Sequence, residues 1–143
     1  MVKWKYKGRD ILSHKDIPLE AVGFVYCLTY DDGRMYIGSK LTRSERRLKP
    51  TKAQLAIRKN YKRVELKDLP FIKYVGSSKD IPIGLKLTEK SILAFTSNKR
   101  TLTYLETKLL FKHEAIESDE VYLNKSISGR YFDNCKDGLI EGF

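Results

Sequence analysis

The sequence predicts an α+β fold in which helices flank a small, three-stranded, mostly antiparallel sheet. Two segments rich in aromatic and β-branched residues, 23–30 and 34–39, are separated by an Asp-Asp-Gly turn. A third segment of this kind, 90–96, comes directly before a stretch whose leucines have helical spacing. The order strand, strand, helix, strand, helix favours one layer of helices packed on one sheet.

The first two strands are predicted to form a hairpin. Residues 23–30 read Gly-Phe-Val-Tyr-Cys-Leu-Thr-Tyr, and residues 34–39 read Arg-Met-Tyr-Ile-Gly-Ser. The Asp32-Gly33 pair between them tolerates the positive φ that tight hairpin turns require. Residues 1–22 have no clear periodicity and are expected to be a basic N-terminal extension.

Two capping patterns predict helix between the hairpin and the third strand. Thr42-x-x-Glu45 has the form of a capping box, so a helix is expected to begin there and to stop at Pro50. Thr51-x-x-Gln54 repeats the form and predicts helix to about residue 61.

The remaining segments carry weaker signals. Residues 66–70 are expected to connect elements, and residues 71–76 to form a short strand or a docking segment. Proline and glycine at 82–84 mark a loop. We expect a domain over 23–131 and a C-terminal tail over 132–143.

A long helix is predicted over 99–115, with Asn98 as a candidate N-cap. On a helical wheel with about 100° per residue, Glu106 and His113 fall inside the apolar sector. That sector is defined by Leu102, Leu105, Leu109 and Leu110. An unpaired carboxylate there would cost several kcal/mol or take up a proton, so Glu106 is a candidate functional residue. The alternative is that Glu106 lies at the end of the core and reaches water.

The composition limits the class of protein. The chain has 143 residues, enough for one domain, and no apolar run approaches the roughly 20 residues that cross a bilayer. The only two cysteines, Cys27 and Cys135, form no Cys-x-x-Cys pair, which argues against a zinc module or a disulfide scaffold. We therefore expect a cytoplasmic protein with no membrane partner.

The positive charge is concentrated. The formal net charge is +10, and residues 40–67 contain eleven basic residues against two acidic ones. The basic residues are Lys40, Arg43, Arg46, Arg47, Lys49, Lys52, Arg58, Lys59, Lys62, Arg63 and Lys67. Such a block suits phosphate neutralisation, although charge runs are also common on solvated faces. A further alternative is that the basic residues bind an acidic protein partner instead of nucleic acid.

The hairpin carries a more specific pattern. Gly23-Phe24-Val25-Tyr26 and Tyr36-Ile37-Gly38 resemble the paired motif that names the GIY-YIG endonuclease family, with the two tyrosines ten positions apart. The first triplet departs from the name, since it reads Phe-Val-Tyr. The chain looks most similar to compact phage-encoded members, several of which carry a second Tyr-x-Gly-Ser-Ser like residues 74–78.

The resemblance implies a GIY-YIG-like fold and a metal-dependent DNA endonuclease, as a monomer or a homodimer. It implies Arg46, Glu106 and Asn124 as further site residues, with Glu106 holding one Mg²⁺ or Mn²⁺ ion and no small-molecule cofactor. Tyr26 would assist the attacking water, and Tyr36 would orient water or phosphate. Lys40 is a candidate second cation, and Arg43, Arg47 or Arg63 could replace Arg46 because Pro50 shortens the predicted helix. A homing-type or nicking enzyme is the implied role.

Several alternatives stay open. The domain could be a catalytically silent module that binds nucleic acid through residues 40–67. Tyr26 and Tyr36 could be cross-strand aromatic partners, and Asn124 a turn or cap residue. The residues expected to contact DNA are Arg43, Arg47, Lys49, Lys52, Arg58, Lys59, Lys62 and Arg63.

Overall fold

The computed structural model of the protein describes residues 1–127 and 138–140. The elements in these ranges are β1 (Trp4–Tyr6), β2 (Arg9–Ile11), β3 (Gly23–Tyr30), β4 (Met35–Leu41), β5 (Arg43–Leu48), α1 (Lys52–Ile57), β6 (Arg63–Asp68), β7 (Leu87–Thr96) and α2 (Lys99–Lys112). Short 3₁₀ turns lie at His14–Asp16 and Ala115–Glu117. No helix in the described part of the chain is long and apolar enough to cross a membrane.

The central sheet is mixed and has the strand order β2-β1-β7-β3-β4. The strands β1 and β7 are parallel, and the other neighbours are antiparallel. The α+β class is therefore confirmed, but the predicted count of three strands in the sheet is wrong. The strands missing from the prediction are β1 and β2, and both lie in the segment expected to be an N-terminal extension.

The hairpin of β1 and β2 left little trace in the sequence. Its two-residue turn places Lys7 at φ 47° and Gly8 at φ 81°, and a lysine is an unusual first residue for such a turn. Trp4 is fully buried, and its indole Nε1 donates to the carbonyl of Phe71 at 2.9 Å. The partner strand of β1, β7, is about eighty residues away along the chain, so local pattern could not reveal the pairing.

The hairpin of β3 and β4 is confirmed. Tyr26 lies opposite Gly38, and Leu28 lies opposite Tyr36. Gly33 has φ 86° and closes the turn by donating its N–H to the carbonyl of Tyr30. The third predicted strand is also present, as the longer β7.

The helix predicted after Thr42 is wrong, because residues 43–48 form β5 and pair antiparallel with β6. Thr42 is fully buried, and its hydroxyl donates to the carbonyl of Ala21, so it does not cap a helix. The two strands form a sheet separate from the central one, and the short helix α1 lies between them along the chain. We call residues 43–68 the basic arm.

The second capping box is confirmed. Thr51 and Gln54 bond to each other's main-chain N–H groups, and α1 begins at Lys52, although it ends at Ile57 instead of near residue 61. Residues 66–70 are partly strand, since β6 extends to Asp68. Residues 71–76 form no strand; Phe71 is 1% exposed, so the docking alternative holds.

Each face of the central sheet has its own core. One face carries Trp4, Phe24 and Tyr26 and is covered by Phe71 and neighbouring loop residues. The other face carries Val25 and Ile37 and is covered by α2. Helix α2 begins at the predicted N-cap, where the Asn98 side chain accepts from the N–H of Thr101, and ends at Lys112, three residues earlier than predicted.

The chain after α2 returns along the outer edge of β4. Met35 donates its N–H to Val121, and Leu123 donates its N–H back to Met35. This returning segment covers the edge of the first half of β4, and these hydrogen bonds do not extend to the edge near Ser39. The end of the predicted domain, 128–131, and the tail except for 138–140 lie outside the described residues.

Candidate active site

The two motif tyrosines lie on the same face of the β3–β4 hairpin. Tyr26 is 2% exposed, and its ring lies across Gly38 on the neighbouring strand. A Cβ atom added to Gly38 would come within 2.5 Å of the Tyr26 hydroxyl oxygen. The missing side chain of Gly38 therefore lets the Tyr26 hydroxyl cross β4 toward the outer edge of the sheet.

Glu106 reaches this edge from α2. Its Oε2 accepts a hydrogen bond of 3.2 Å from the Ser39 hydroxyl, three residues after Tyr36 along β4. In the described part of the chain, Oε1 has no hydrogen-bond donor. The carboxylate is partly buried, and this burial raises its pKa, while the bond from Ser39 acts in the opposite direction.

Electrostatics tie Glu106 to both tyrosines. Burial raises the pKa of Tyr26 far above its ordinary value, and the hydrogen bond with Tyr74 and the charge of Glu106 add to the effect. Burial also raises the pKa of Tyr36, and Glu106 contributes there as well. The carboxylate is thus within electrostatic reach of both hydroxyls, and both tyrosines stay protonated at neutral pH.

Residues 74–78 form the remaining wall of the cluster. The rings of Tyr26 and Tyr74 meet edge to face with centroids 6.0 Å apart, and hydrogen bonding with Tyr74 adds to the raised pKa of Tyr26, whereas hydrogen bonding with Ser78 acts against the raised pKa of Tyr36. The ammonium of Lys40 lies 4.8 Å from the centroid of the Tyr74 ring. Ser39, Tyr74 and Ser78 were not among the site residues predicted from the sequence; the available signal was the similarity of Tyr-Val-Gly-Ser at 74–77 to Tyr-Ile-Gly-Ser at 36–39.

Asn124 has a main-chain partner. Its amide Nδ2 donates to the carbonyl of Ile37 at 2.8 Å, and its Oδ1 accepts from the Ile37 N–H at 3.0 Å. The side chain therefore continues the ladder along the edge of β4 and holds the strand next to the tyrosine cluster. Asn124 therefore positions β4, and both the nitrogen and the oxygen of its side-chain amide are hydrogen-bonded to the main chain of that strand.

Arg43 is a structural residue of the basic arm. Its guanidinium donates to the carbonyls of Pro18, Leu19, Ala21 and His14, and its Nε pairs with Asp68 at 3.1 Å. The side chain is 6% exposed. These bonds use its donors to anchor the arm, which argues against the expected contact with DNA.

The structure does not bring Arg46 to the tyrosine cluster. It lies on β5, where its guanidinium is 3.6 Å from Glu65 on the neighbouring strand, and both side chains are at least half exposed. The other basic residues expected to contact DNA are exposed on the arm: Arg47, Lys49, Lys52, Arg58, Lys59, Lys62 and Arg63. An exposed ion pair such as that between Arg46 and Glu65 contributes about 0–1 kcal/mol to stability, so Arg46 can leave Glu65 at little cost.

His113 lies away from the cluster. It is the exposed C-cap of α2, and its ring lies 6.3 Å from that of Tyr122. Its place in the apolar sector of an ideal wheel is therefore misleading, because the helix ends there.

The donor set fits only a lightly held metal ion. Within residues 1–127 and 138–140, no group of three or more His, Cys, Asp or Glu side chains could hold a metal. The cluster offers one partly desolvated carboxylate with a free oxygen. Mg²⁺ keeps several waters and often binds through one or two carboxylates, so Glu106 fits such an ion when phosphate and water complete its shell.

The resemblance to the GIY-YIG family predicted this arrangement, in which two tyrosines on paired strands and a glutamate on a helix lie at one edge of the sheet. A family model described as "Putative endonuclease segE, GIY-YIG domain" matches residues 4–127. The chain therefore belongs to the SegE GIY-YIG endonuclease domain family, and the resemblance identified in the sequence is confirmed. Searches of curated proteins and of solved structures found no match.

Proposed function

We propose that the protein is a DNA endonuclease that hydrolyses phosphodiester bonds at the outer edge of β4. The observation that carries this proposal is the partly buried Glu106 carboxylate, which is bonded to Ser39 on β4, lies within electrostatic reach of both motif tyrosines and has one oxygen without a donor among the described residues. A carboxylate at such a place costs folding free energy, which a role in binding and catalysis explains.

Glu106 would hold one divalent ion, Mg²⁺ or Mn²⁺, which when bound polarises a phosphate oxygen and acidifies a coordinated water. Ser39 fixes the direction of the carboxylate through its hydrogen bond to Oε2, and leaves Oε1 for the ion. Because the rest of the shell would be water and substrate, we expect weak ion binding without DNA and stronger binding with it.

The two tyrosines act as neutral hydroxyls. Burial opposes the phenolate form of Tyr26, so its role is to hold the attacking water by a hydrogen bond and not to store a negative charge. Tyr36 is more accessible and orients the water or a phosphate oxygen. Both hydroxyls are preorganised, which is how such groups contribute to a displacement at phosphorus.

Positive charge comes from two directions. Lys40 lies at the cluster itself, over the Tyr74 ring, and stabilises the charge that develops on the phosphate. Arg46 approaches from the arm, exchanges its surface pair with Glu65 for a phosphate oxygen, and grips it with its planar fork.

The basic arm is the DNA-binding surface. A two-stranded ribbon is narrow enough for the major groove, and the exposed cations on the arm suit the phosphates beside it. Replacing Lys59, Lys62 and Arg63 with Gln should weaken DNA binding and reduce the slope of log K against log salt concentration by about three units. The matched control replaces Lys3, Lys5 and Lys112, which are equally exposed but lie outside the arm.

The direct test is plasmid cleavage with Mg²⁺ and with EDTA, using the wild type and Glu106→Gln. We expect Mg²⁺-dependent nicking by the wild type, no cutting by the variant, and equal DNA affinity for both proteins. One site cuts one strand at a time, so a monomer should nick, and a linear product would point to a homodimer or to two visits. A homing-type role in a phage is part of the same proposal.

A binding module without catalysis is the second candidate. It is favoured by the position of Arg46, which lies on the arm and not at the tyrosine cluster. This reading predicts tight, salt-dependent DNA binding and no cleavage with any divalent ion or DNA substrate. The same plasmid assay, run beside a binding assay, separates the two candidates.

A further inference from the structure

We propose that Tyr74 and Ser78 are positioning residues for the reaction, an inference that rests on the proposed nuclease function. Tyr74 holds the hydroxyl of Tyr26 and the ammonium of Lys40, and Ser78 holds the hydroxyl of Tyr36. A single segment, 74–78, would thereby fix the directions of three groups that face the phosphate.

Tyr74 makes two kinds of contact with the cluster. Its ring meets that of Tyr26 edge to face with centroids 6.0 Å apart, and hydrogen bonding between the two side chains adds to the raised pKa of Tyr26. Its ring face receives the ammonium of Lys40 at 4.8 Å. Its hydroxyl also lies 3.2 Å from that of Ser77, which completes a short chain of hydroxyls leading away from Tyr26.

Ser78 acts on the second tyrosine. Its oxygen accepts a hydrogen bond of 3.1 Å from the N–H of Asp80, which keeps its proton available to Tyr36, and hydrogen bonding with Ser78 acts against the raised pKa of that tyrosine. The Asp80 carboxylate in turn accepts a hydrogen bond from the N–H of Lys125. Lys125 follows Asn124, whose side chain is bonded to the main chain of β4. The segment is thus tied to the same edge that carries Tyr36.

The backbone of the segment is held at its first residue and in its middle. The N–H of Tyr74 donates to the carbonyl of the buried Phe71, which also accepts a hydrogen bond from the Trp4 indole. Gly76 has φ 90°, and a Cβ there would lie 3.1 Å from the Leu28 side chain, so the loop lies close against β3. Because its backbone is held in place, the segment can keep the hydroxyls of Tyr26 and Tyr36 in fixed positions.

A hydroxyl needs this help because it rotates freely about its C–O bond. A neutral tyrosine that holds a water must direct its lone pair or its proton at one point, and small misplacements reduce rates by large factors. A partner that takes up the other side of each hydroxyl removes that freedom. Tyr74 and Ser78 occupy these partner positions for Tyr26 and Tyr36.

The test uses Tyr74→Phe and Ser78→Ala, with Tyr104→Phe on α2 as the matched control. Phenylalanine keeps the ring contacts with Tyr26 and Lys40 and removes only the hydroxyl. We measure single-turnover nicking with Mg²⁺, DNA Kd in EDTA and the Tm. We expect the nicking rate of Tyr74→Phe to fall by about 10- to 100-fold, with Kd within about twofold and an unchanged Tm. Ser78→Ala should show a smaller fall of the same kind.

The outcomes separate this inference from the function on which it rests. A wild type that cuts, with Tyr74→Phe and Ser78→Ala cutting equally fast, overturns the positioning role alone. A wild type that binds DNA and never cuts overturns the nuclease proposal and this inference together. If Tyr74→Phe lowers the Tm, Ser78→Ala decides, because it removes one hydroxyl from a loop. A lower rate at an unchanged Tm and Kd then supports the inference, and an unchanged rate overturns it.

Discussion

Gly38 lies directly beneath the ring of Tyr26, so close that a Cβ on Gly38 would meet the hydroxyl oxygen at 2.5 Å and Cζ at 2.6 Å. The glycine of the second motif and the tyrosine of the first are therefore one structural unit. The glycine creates the space through which the hydroxyl reaches the edge of the sheet.

Gly38→Ala should displace the Tyr26 ring. The added methyl group must push a buried aromatic ring off its position, which costs about 1–3 kcal/mol of unfolding free energy. Nicking should fall at least about tenfold, because the hydroxyl no longer points to the edge. Urea denaturation and single-turnover nicking measure the two effects.

A double-mutant cycle supplies the control. In a Tyr26→Ala background the ring is absent, so Gly38→Ala should cost much less stability than it does in the wild type. Equal costs in both backgrounds would contradict the steric account.

Glu106→Gln should stabilise the metal-free protein at neutral pH. Burial raises the folded-state pKa of Glu106, so the ionised carboxylate opposes folding above that pKa. Glutamine removes the charge and keeps the shape. The gain should shrink as the pH falls through the folded-state pKa, where the wild-type carboxyl is protonated.

Thermal unfolding with and without Mg²⁺ checks this prediction. An ion that binds only the folded state raises the Tm of the wild type, and Glu106→Gln should lose that response. A variant that is less stable than the wild type without metal would show that Glu106 serves the fold.

Arg43→Met should destabilise the fold although the residue belongs to the basic block. The substitution removes the hydrogen bonds that the charged guanidinium donates to the carbonyls of Pro18, Leu19 and Ala21, and a hydrogen bond of a charged group contributes about 1.5–3 kcal/mol. Urea denaturation measures the loss. Lys62→Met on the exposed surface of the arm is the control and should change stability by less than about 0.5 kcal/mol.

Lys90 should make stability depend on pH in the alkaline range. It is buried, with its ammonium 4.4 Å from the Trp4 ring centroid and bonded to the carbonyl of Ile72. Burial lowers its pKa from 10.5 to about 8. Between these values the unfolded chain binds more protons than the folded protein, so stability rises with pH.

The comparison protein for this effect is Lys90→Met. From about pH 7 to about pH 9.5, the wild type should gain about 2 kcal/mol relative to the variant. The buried tyrosines act in the opposite direction at higher pH and cancel in the difference. Parallel stability curves for the two proteins would contradict a depressed pKa at Lys90.

The sequence predicted the elements whose signals are local. The β3–β4 hairpin follows from its turn and its strand residues, and α2 follows from Asn98 and the spacing of its leucines. The β1–β2 hairpin could not be predicted, since it is short and pairs with a strand far along the chain. The basic arm was misread because a capping pattern at Thr42 is a local signal, whereas the pairing of β5 with β6 is not.

The candidate site shows the same division. The helical wheel singled out Glu106 because a carboxylate in an apolar sector conflicts with burial within one element. Ser39, Tyr74 and Ser78 could not be found in this way, since their roles depend on contacts between separate segments. Arg43 was predicted to contact DNA because the number of basic residues in a segment does not reveal which guanidinium is buried.

The central claim is that Glu106 and the tyrosines of the β4 edge form one nuclease site. Its most direct test is the rate of Mg²⁺-dependent plasmid nicking by the wild type, Glu106→Gln, Tyr36→Phe and the control Tyr104→Phe, at matched DNA occupancy. We predict that Glu106→Gln abolishes nicking, that Tyr36→Phe slows it by at least about tenfold, and that Tyr104→Phe leaves it unchanged. Glu106→Gln cutting as fast as the wild type would contradict the account.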